Sequence, residues 1–227
     1  MSQGTAQGRG RRRSLALAAV VALALVAAPA PPASASLAAP PVPPQGQLDF
    51  GVYIFAEPFN EFELRRLRAG GGEVIRSTFQ WSNVQRTRLP FYDWSQYDAL
   101  VARAAAAGVS ILPVLIGSPR FVAPHGASPP TTPLGKALFA RYAAAAVERY
   151  GRGGGFWKEN PFVPYRPIEA WEVWNEPNVG SFWTEGDPDP QEYARLLKLI
   201  GTAIHKADPR AKCVRGNASE PRAPGPI

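Results

Sequence analysis

The sequence predicts an α/β fold of the (β/α)8 TIM-barrel type that is incomplete, with about four βα units and the start of a fifth strand. Strand-like and helix-like segments alternate along residues 47–227, and the strand-like segments are almost continuously apolar, as in parallel sheets whose faces are covered by helices. A doubly wound sheet requires a glycine-rich turn after its first strand, and Ala56-Glu57-Pro58-Phe59 stands there instead. The predicted βα units occupy about 180 residues, whereas a complete barrel usually takes about 250, so we expect this chain to encode only part of one.

Each predicted strand is a run of apolar, aromatic and β-branched residues. Pro113, inside the third run, weakens that prediction because proline cannot donate to a sheet ladder. The four strands are Leu48–Phe55, Glu73–Trp81, Val109–Ile116 and Ile168–Trp174, and Ala211–Gly216 begins a fifth.

Each predicted helix carries apolar residues at helical spacing and ends at a stop signal. A glycine follows each of the first three helices, and Asp208-Pro209 closes the fourth. The helices are Asn60–Ala69, Ser95–Ala107, Leu134–Tyr150 and Pro190–Ala207.

The composition is that of a globular protein and offers little for a metal site. The 25 prolines and 21 glycines of the 227 residues stay below the level of an aperiodic low-complexity chain. The single cysteine, Cys213, excludes an intramolecular disulfide and a cysteine-clustered metal site, and two histidines leave little for a histidine-rich one. We therefore expect no metal and no organic cofactor.

Residues 1–35 have the pattern of a cleavable secretory signal. Arg9 and Arg11–Arg13 precede the apolar run Leu15–Ala28, and Ala33-Ser34-Ala35 supplies a small-residue cleavage site. The apolar run is shorter than the roughly 17–25 residues that span a bilayer. We expect cleavage after Ala35 and an extracellular protein, with an uncleaved N-terminal anchor as the alternative and the export route, Sec or Tat, left open.

The remaining chain is only mildly basic. The signal segment contains four arginines and no acid, so its removal lowers the formal net charge from +7 to +3. We expect neither nucleic-acid binding nor a stable membrane association after cleavage. Residues 36–46 form a proline-rich leader, residues 47–214 the partial barrel, and residues 215–227 an irregular tail.

The chemistry-bearing residues concentrate at the end of the fourth strand. Asn175 and Glu176 place an amide and a carboxyl group side by side at the edge where parallel barrels build their sites. Trp171, Trp174 and Trp183 offer flat apolar surface for sugar rings. We expect neighbouring indoles to desolvate Glu176 and to raise its pKa, as a general acid requires.

The motif Glu172-Val173-Trp174-Asn175-Glu176-Pro177-Asn178, followed by Phe182-Trp183, resembles the strand-four motif of the clan A glycoside hydrolases, above all the β-xylosidase/iduronidase-like and cellulase-like branches. Upstream, Val74-Ile75-Arg76 and residues 79–85 are similar to the second-strand pattern of that clan. Downstream, residues 193–197 and 203–209 match the helix and the turn into strand five. The resemblance covers roughly residues 48–214.

The resemblance implies a retaining hydrolysis of β-linked plant or microbial saccharides that needs no cofactor. It makes Glu176 the acid/base and Asn175 the residue that holds the 2-hydroxyl of the sugar. Arg76, at the end of strand two, matches the arginine that orients the nucleophile. Further candidates for substrate binding are Trp174, Trp183, Trp81 and His125, with core packing the alternative for Trp81 and a solvated loop position the alternative for His125.

The sequence departs from this clan at the nucleophile, which should be a glutamate at the end of strand seven. Glu220 is the nearest stand-in, and we interpret it as a tail residue. We interpret the proline-rich end as a truncated or frame-shifted reading of a longer gene, the alternative being a short protein that pairs two half-barrels or has lost catalysis. We expect the chain on its own to be inactive or poorly folded, because an open half-barrel leaves sheet edges unpaired.

Three functions therefore remain open from the sequence. The first is a secreted glycoside hydrolase, present here as its N-terminal part. The second is a non-catalytic carbohydrate-binding remnant, and the third is a structural fragment without a ligand. Glu172 either pairs with Arg76 inside the barrel or faces a helix. The oligomeric state and the identity of the sugar are not determined by the sequence.

Overall fold

Five parallel strands form one sheet, and their spatial order in the sheet is their order along the chain. The computed structural model describes residues 51–54, 59–124, 126, 128–183 and 186–218. The predicted signal segment and leader, His125 and Glu220 lie outside the described residues. The strands are β1 Gly51–Ile54, β2 Val74–Gln80, β3 Ser110–Ile116, β4 Ala170–Val173 and β5 Lys212–Arg215.

This order confirms the predicted fold class. In a doubly wound sheet the strand order reverses at a switch point, where the ligand binds. Here each connection moves one strand further in the same direction, which is how a (β/α) barrel is built. The described residues supply five of the strands of such a barrel.

The four predicted helices are present, and their ends differ from the predicted ends by at most one residue. The sequence prediction missed the short helices Trp81–Val84 and Gly155–Glu159, which hold four and five residues and are too short to show a helical period. The helices are α1 Glu61–Ala69, α2 Trp81–Val84, α3 Ser95–Ala106, α4 Pro133–Tyr150, α5 Gly155–Glu159 and α6 Pro190–Ala207.

The two faces of the sheet differ in burial. Along β2, Ile75, Ser77 and Phe79 are buried, whereas Arg76, Thr78 and Gln80, which alternate with them, are half-buried. Phe79 stacks on Tyr97 of α3 and meets the ring of Tyr150 of α4 edge-on, so its face lies beneath the helices. The sequence predicted cover on both faces, but the face that carries Arg76 keeps contact with solvent.

The core is built from aromatic rings between α4 and the sheet. Tyr142 is fully buried, its ring stacks on Trp81 and on Trp94, and its hydroxyl donates to the carbonyl oxygen of Phe79 at 2.8 Å. Burial raises the pKa of Tyr142 well above its ordinary value, so the hydroxyl keeps its proton as a donor. Helix α4 thus anchors β2 at Phe79, three residues after Arg76 on the same strand.

Pro113 lies in β3 without breaking it. The ladder to β4 begins only at Val114, which pairs with Glu172, so the missing N–H of Pro113 falls before that ladder.

None of the helices in the described ranges is long and apolar enough to cross a membrane.

We predict that Phe139→Ala lowers the free energy of unfolding by about 3–5 kcal/mol, because it empties a fully packed position. Phe139 is completely buried, against Trp81 and Trp174. The matched control is Phe162→Ala, since Phe162 is 99% exposed and its removal should change stability by less than about 0.5 kcal/mol. Urea denaturation followed by fluorescence measures both, and equal losses in the two variants would contradict this packing.

Candidate functional site

An open cleft of about 860 Å³ lies where β4 and β5 end. Asn175 and Glu176 follow directly after β4, so the carboxyl edge of the sheet presents them as the sequence predicts. Asn175 is buried and Glu176 is half-buried. The cleft is lined by Tyr53, Arg76, Glu172, Asn175, Glu176, Ser181, Phe182, Val214, Arg215, Gly216 and Asn217.

Arg76 and Glu172 form a bidentate ion pair on the inner face of the sheet. Nε of Arg76 donates to Oε2 of Glu172 at 2.7 Å, and Nη2 donates to Oε1 at 2.8 Å. The Glu172 side chain is only 4% exposed, so Arg76 supplies the charge that makes its burial tolerable. This answers the alternative left open by the sequence, because Glu172 faces Arg76 and not a helix.

The pKa of Arg76 reflects two opposing effects. Burial disfavours the charged guanidinium and lowers its pKa, but the hydrogen bond and charge of Glu172, with a smaller contribution from Tyr53, together outweigh burial. The pKa of Arg76 therefore lies above its ordinary value. The ring of Tyr53 lies 4.4 Å from Cζ of Arg76 and adds a cation–π contact. Arg76 is therefore a fixed positive charge at the base of the cleft.

Arg76 also connects the cleft to the segments that follow β4 and β5. Its Nη2 donates to Oδ1 of Asn175 at 2.7 Å and to Oδ1 of Asn217 at 3.0 Å. The backbone N–H of Asn217 donates to Oε1 of Glu172 at 3.2 Å. The sequence analysis placed Arg76 at the end of strand two, but Arg76 is the third of the seven residues of β2. Its long side chain therefore reaches toward the edge of the sheet.

The backbone leaves β4 in an unusual conformation. Trp174 has φ 67° and Glu176 has φ 41°, both in the left-handed region that bulky residues avoid. Each such residue costs on the order of 1–3 kcal/mol and persists only where its surroundings enforce it. The left-handed conformations of Trp174 and Glu176 set the direction in which Asn175 and Glu176 leave the strand.

Tyr193 of α6 and Gly216 hold this strand exit in place. The hydroxyl of Tyr193 donates to the carbonyl oxygen of Val173 and accepts from the N–H of Gly216, both at 2.7 Å. A Cβ on Gly216 would lie 2.7 Å from the carbonyl oxygen of Trp174, so only glycine fits there. Burial raises the pKa of Tyr193 to about 12, which keeps its proton in place at neutral pH.

The tryptophans predicted to contact sugar are buried, which corrects the expectation that their faces are open. Trp81 is 0% exposed between Phe139 and Tyr142, and its Nε1 donates to Gln85, so it takes the core position that the sequence left as an alternative. Trp174 is also 0% exposed and Trp183 is 3% exposed. Rings with no open face cannot stack on a sugar in this conformation.

Trp174 instead supports the wall of the cleft. Its Nε1 donates to the carbonyl oxygen of Phe182 at 3.0 Å, which fixes the 3₁₀ turn Gly180–Phe182 beside Glu176. The turn is also tied by the N–H of Val179, which donates to the carbonyl oxygen of Glu176. The aromatic rings in the lining of the cleft are thus those of Phe182 and Tyr53.

Sequence reasoning missed Tyr53, Asn217 and the role of Phe182 as a lining residue. Tyr53 is level with Arg76 in the β1–β2 register, and the alternation of strand side chains could have placed both on one face. Asn217 had been assigned to an irregular tail, but Arg215 is the last residue of β5 and Asn217 lies at the same edge as Asn175. The predicted strand Ala211–Gly216 ends directly before Asn217, and this position at a strand end could have been the signal.

We predict that Glu172→Gln lowers the free energy of unfolding by about 3 kcal/mol or more, because it leaves the Arg76 guanidinium without its buried counter-charge. Glu169→Gln is the matched control three residues earlier, where the carboxylate is 54% exposed and pairs with Arg152. Its loss should cost at most about 1 kcal/mol. Chemical denaturation of both variants makes the comparison, and a cost for Glu172→Gln no larger than that of the control would refute a buried pair.

Comparison with solved structures shows the fold to be that of glycoside hydrolases. A family 39 glycoside hydrolase from the gut symbiont Bacteroides cellulosilyticus WH2 matches with a TM-score of 0.56 and 23% identity over 74% of this chain and 31% of its own. A glucosidase from Croceicoccus marinus matches at 0.54 and 16% identity over 78% and 38% of the two chains. Cel5A of Thermotoga maritima matches at 0.53 and 16% identity over 75% and 51%.

No family model and no curated protein matches the sequence. The chain spans between about a third and a half of the length of these three solved structures. The identities are low enough that the likeness is one of fold. The chain has the fold of part of a glycoside hydrolase barrel, as the strand-four motif predicted.

Proposed function

We propose that this chain is the acid/base-bearing part of a secreted, retaining glycoside hydrolase that cleaves β-linked saccharides. One observation carries the proposal: Arg76, Asn175 and Glu176 line a single cleft at the carboxyl edge of a sheet with the glycoside hydrolase fold. The case for export rests on the pattern of residues 1–35 alone.

Glu176 is the group that we assign to proton donation. It is half-buried in the cleft wall, on a left-handed residue whose carbonyl oxygen is tied to Val179. A carboxyl group in such a position protonates the oxygen of the leaving group as the glycosidic bond breaks, and later deprotonates the incoming water. The strained backbone supports this role, since strain is retained where the placement of a side chain is needed.

Asn175 is the group that we assign to the sugar. Arginine has only donors, so the atom of Asn175 that faces Nη2 of Arg76 must be the amide oxygen. The amide nitrogen is thereby turned away from Arg76. It is available as a donor to a hydroxyl beside the scissile bond, because no described residue accepts a hydrogen bond from it.

Glu172 is a positioning residue in this proposal and not the nucleophile. Retaining hydrolysis needs a second carboxylate about 5–5.5 Å from the acid. Of the described residues that line the cleft, Glu172 is the other carboxylate, and both of its oxygens accept from Arg76. Its charge and lone pairs are engaged, so we assign the attack to a carboxylate beyond the described residues.

We predict that azide restores turnover of an activated glycoside by this chain on its own. Azide attacks the anomeric carbon from the face of the sugar opposite the aryl group. The bond between the anomeric carbon and the aryl oxygen breaks, and the product is a glycosyl azide of inverted configuration. Dinitrophenyl β-D-glucoside and β-D-xyloside are suitable probes. Release of the phenolate reports the rate, and the coupling constant of the anomeric proton of the glycosyl azide reports its configuration. Azide-dependent product supports the proposal, and its absence with both probes contradicts catalysis by this chain.

We predict that Glu176→Gln slows the azide reaction about 10²–10⁴-fold for a methylumbelliferyl or alkyl leaving group, which needs a proton. The dinitrophenyl glycoside needs none, so its rate should change little in the same variant. Glu169→Gln is the control for a neighbouring carboxylate outside the cleft. Equal effects on both leaving groups would show that residue 176 does not donate the proton.

The engagement of both Glu172 oxygens also favours a second candidate, a carbohydrate-binding chain without catalysis. The same cleft would then hold a saccharide through Asn175 and the ring of Phe182. Calorimetric binding of methyl β-glycosides with no azide-dependent product selects this function over the first. The absence of both saccharide binding and azide-dependent product would select the third function, a structural fragment.

A further inference from the structure

We propose that Asn217 is a second saccharide-binding amide, which works beside Asn175 so that the cleft recognises two neighbouring hydroxyls of one sugar ring. The inference rests on the proposed function and extends it to a residue of the segment after β5. Asn217 lines the cleft and is exposed, whereas Asn175 lines the same cleft and is buried.

The orientation of the Asn217 amide follows from its partner. Nη2 of Arg76 lies 3.0 Å from Oδ1 of Asn217, and a guanidinium nitrogen can only donate. The amide oxygen is therefore the atom that faces Arg76, and Nδ2 is directed away from it. Within the described part of the chain, no group accepts a hydrogen bond from Nδ2 of Asn217.

The backbone of Asn217 is also held in place. Its N–H donates to Oε1 of Glu172, and the preceding N–H, that of Gly216, donates to Tyr193. The residue is thus attached at both its main chain and its side-chain oxygen, on two different elements. A donor held in this way loses little conformational freedom when it binds a ligand.

The two amides are close because they share one nitrogen atom. Nη2 of Arg76 carries two protons and meets three oxygens, those of Glu172, Asn175 and Asn217. One proton must be shared, and the two amide oxygens lie 2.7 and 3.0 Å from the same nitrogen. The NH₂ groups of the two amides can therefore each donate to one of two hydroxyls on adjacent carbons. Two donors select a sugar with such a pair of hydroxyls, whereas one donor would bind any single hydroxyl.

The experiment separates a donor to the ligand from a support for Arg76. Asn217→Asp keeps an oxygen for Arg76 and removes the NH₂ group, whereas Asn217→Ala removes both. The full chain is titrated with the methyl β-glycosides of glucose, xylose, mannose and galactose, and the tightest binder is then replaced by its monodeoxy analogues. The Nη2 proton signals of Arg76 in the NMR spectrum report the hydrogen bond to residue 217 independently of the ligand.

We expect Asn217→Asp to weaken binding of the parent glycoside about three- to tenfold, the size of one hydrogen bond. It should not weaken binding of the monodeoxy analogue that lacks the hydroxyl it contacts, and it should leave the Arg76 signal in place. Asn175→Asp should show the same pattern with the analogue deoxygenated at the neighbouring carbon. Gln191→Glu, an exposed change in the first turn of α6, controls for added negative charge.

Three results would overturn the proposal. Full binding by Asn217→Asp, with loss only in Asn217→Ala, would give Asn217 a supporting role alone. Equal losses with the parent and with every monodeoxy analogue would exclude a contact with one hydroxyl. No binding of any of the four glycosides by the unaltered chain would remove the proposed function together with this inference, and so distinguishes the two failures.

Discussion

The bidentate contact between Arg76 and Glu172 is the interaction on which the rest of the site depends. It joins β2 to β4 on the half-exposed face of the sheet and holds a carboxylate that is almost entirely buried. The Nη2 atom that donates to Glu172 also donates to the side-chain oxygens of Asn175 and Asn217. One side chain thereby fixes the orientation of two amides from two strand ends, and the strained exit of β4 aims Glu176 into the same cleft.

The fold could be predicted because its signals are local. The four long helices carry a helical period and glycine or Asp-Pro stops, and the strands are apolar runs between them, so their order follows from the sequence. The missing Gly-rich turn after β1 pointed away from a doubly wound sheet, and the observed strand order agrees. What local signals could not give is the difference between the faces of β2, since apolar content does not tell which face the helices cover.

The site could be predicted in part, for a similar reason. Asn175 and Glu176 stand in one motif at a strand end, and Arg76 was identified beside them from its own strand pattern. The tryptophans were assigned to sugar binding by residue type, but packing decides that question, and α4 covers Trp81 and Trp174. Asn217 has no motif, and only the register of β5 with β4, which levels Val214 with Glu172, carries it to the cleft.

A double-mutant cycle on Arg76 and Glu172 tests this account most directly. The free energies of unfolding of Arg76→Leu, Glu172→Gln and the double variant give the coupling energy between the two side chains. We expect a coupling of about 2–3 kcal/mol, because each single variant leaves its partner buried and unpaired while the double variant leaves neither. A coupling within about 0.5 kcal/mol of zero would mean that the two groups do not hold each other, and the arrangement built on them would not stand.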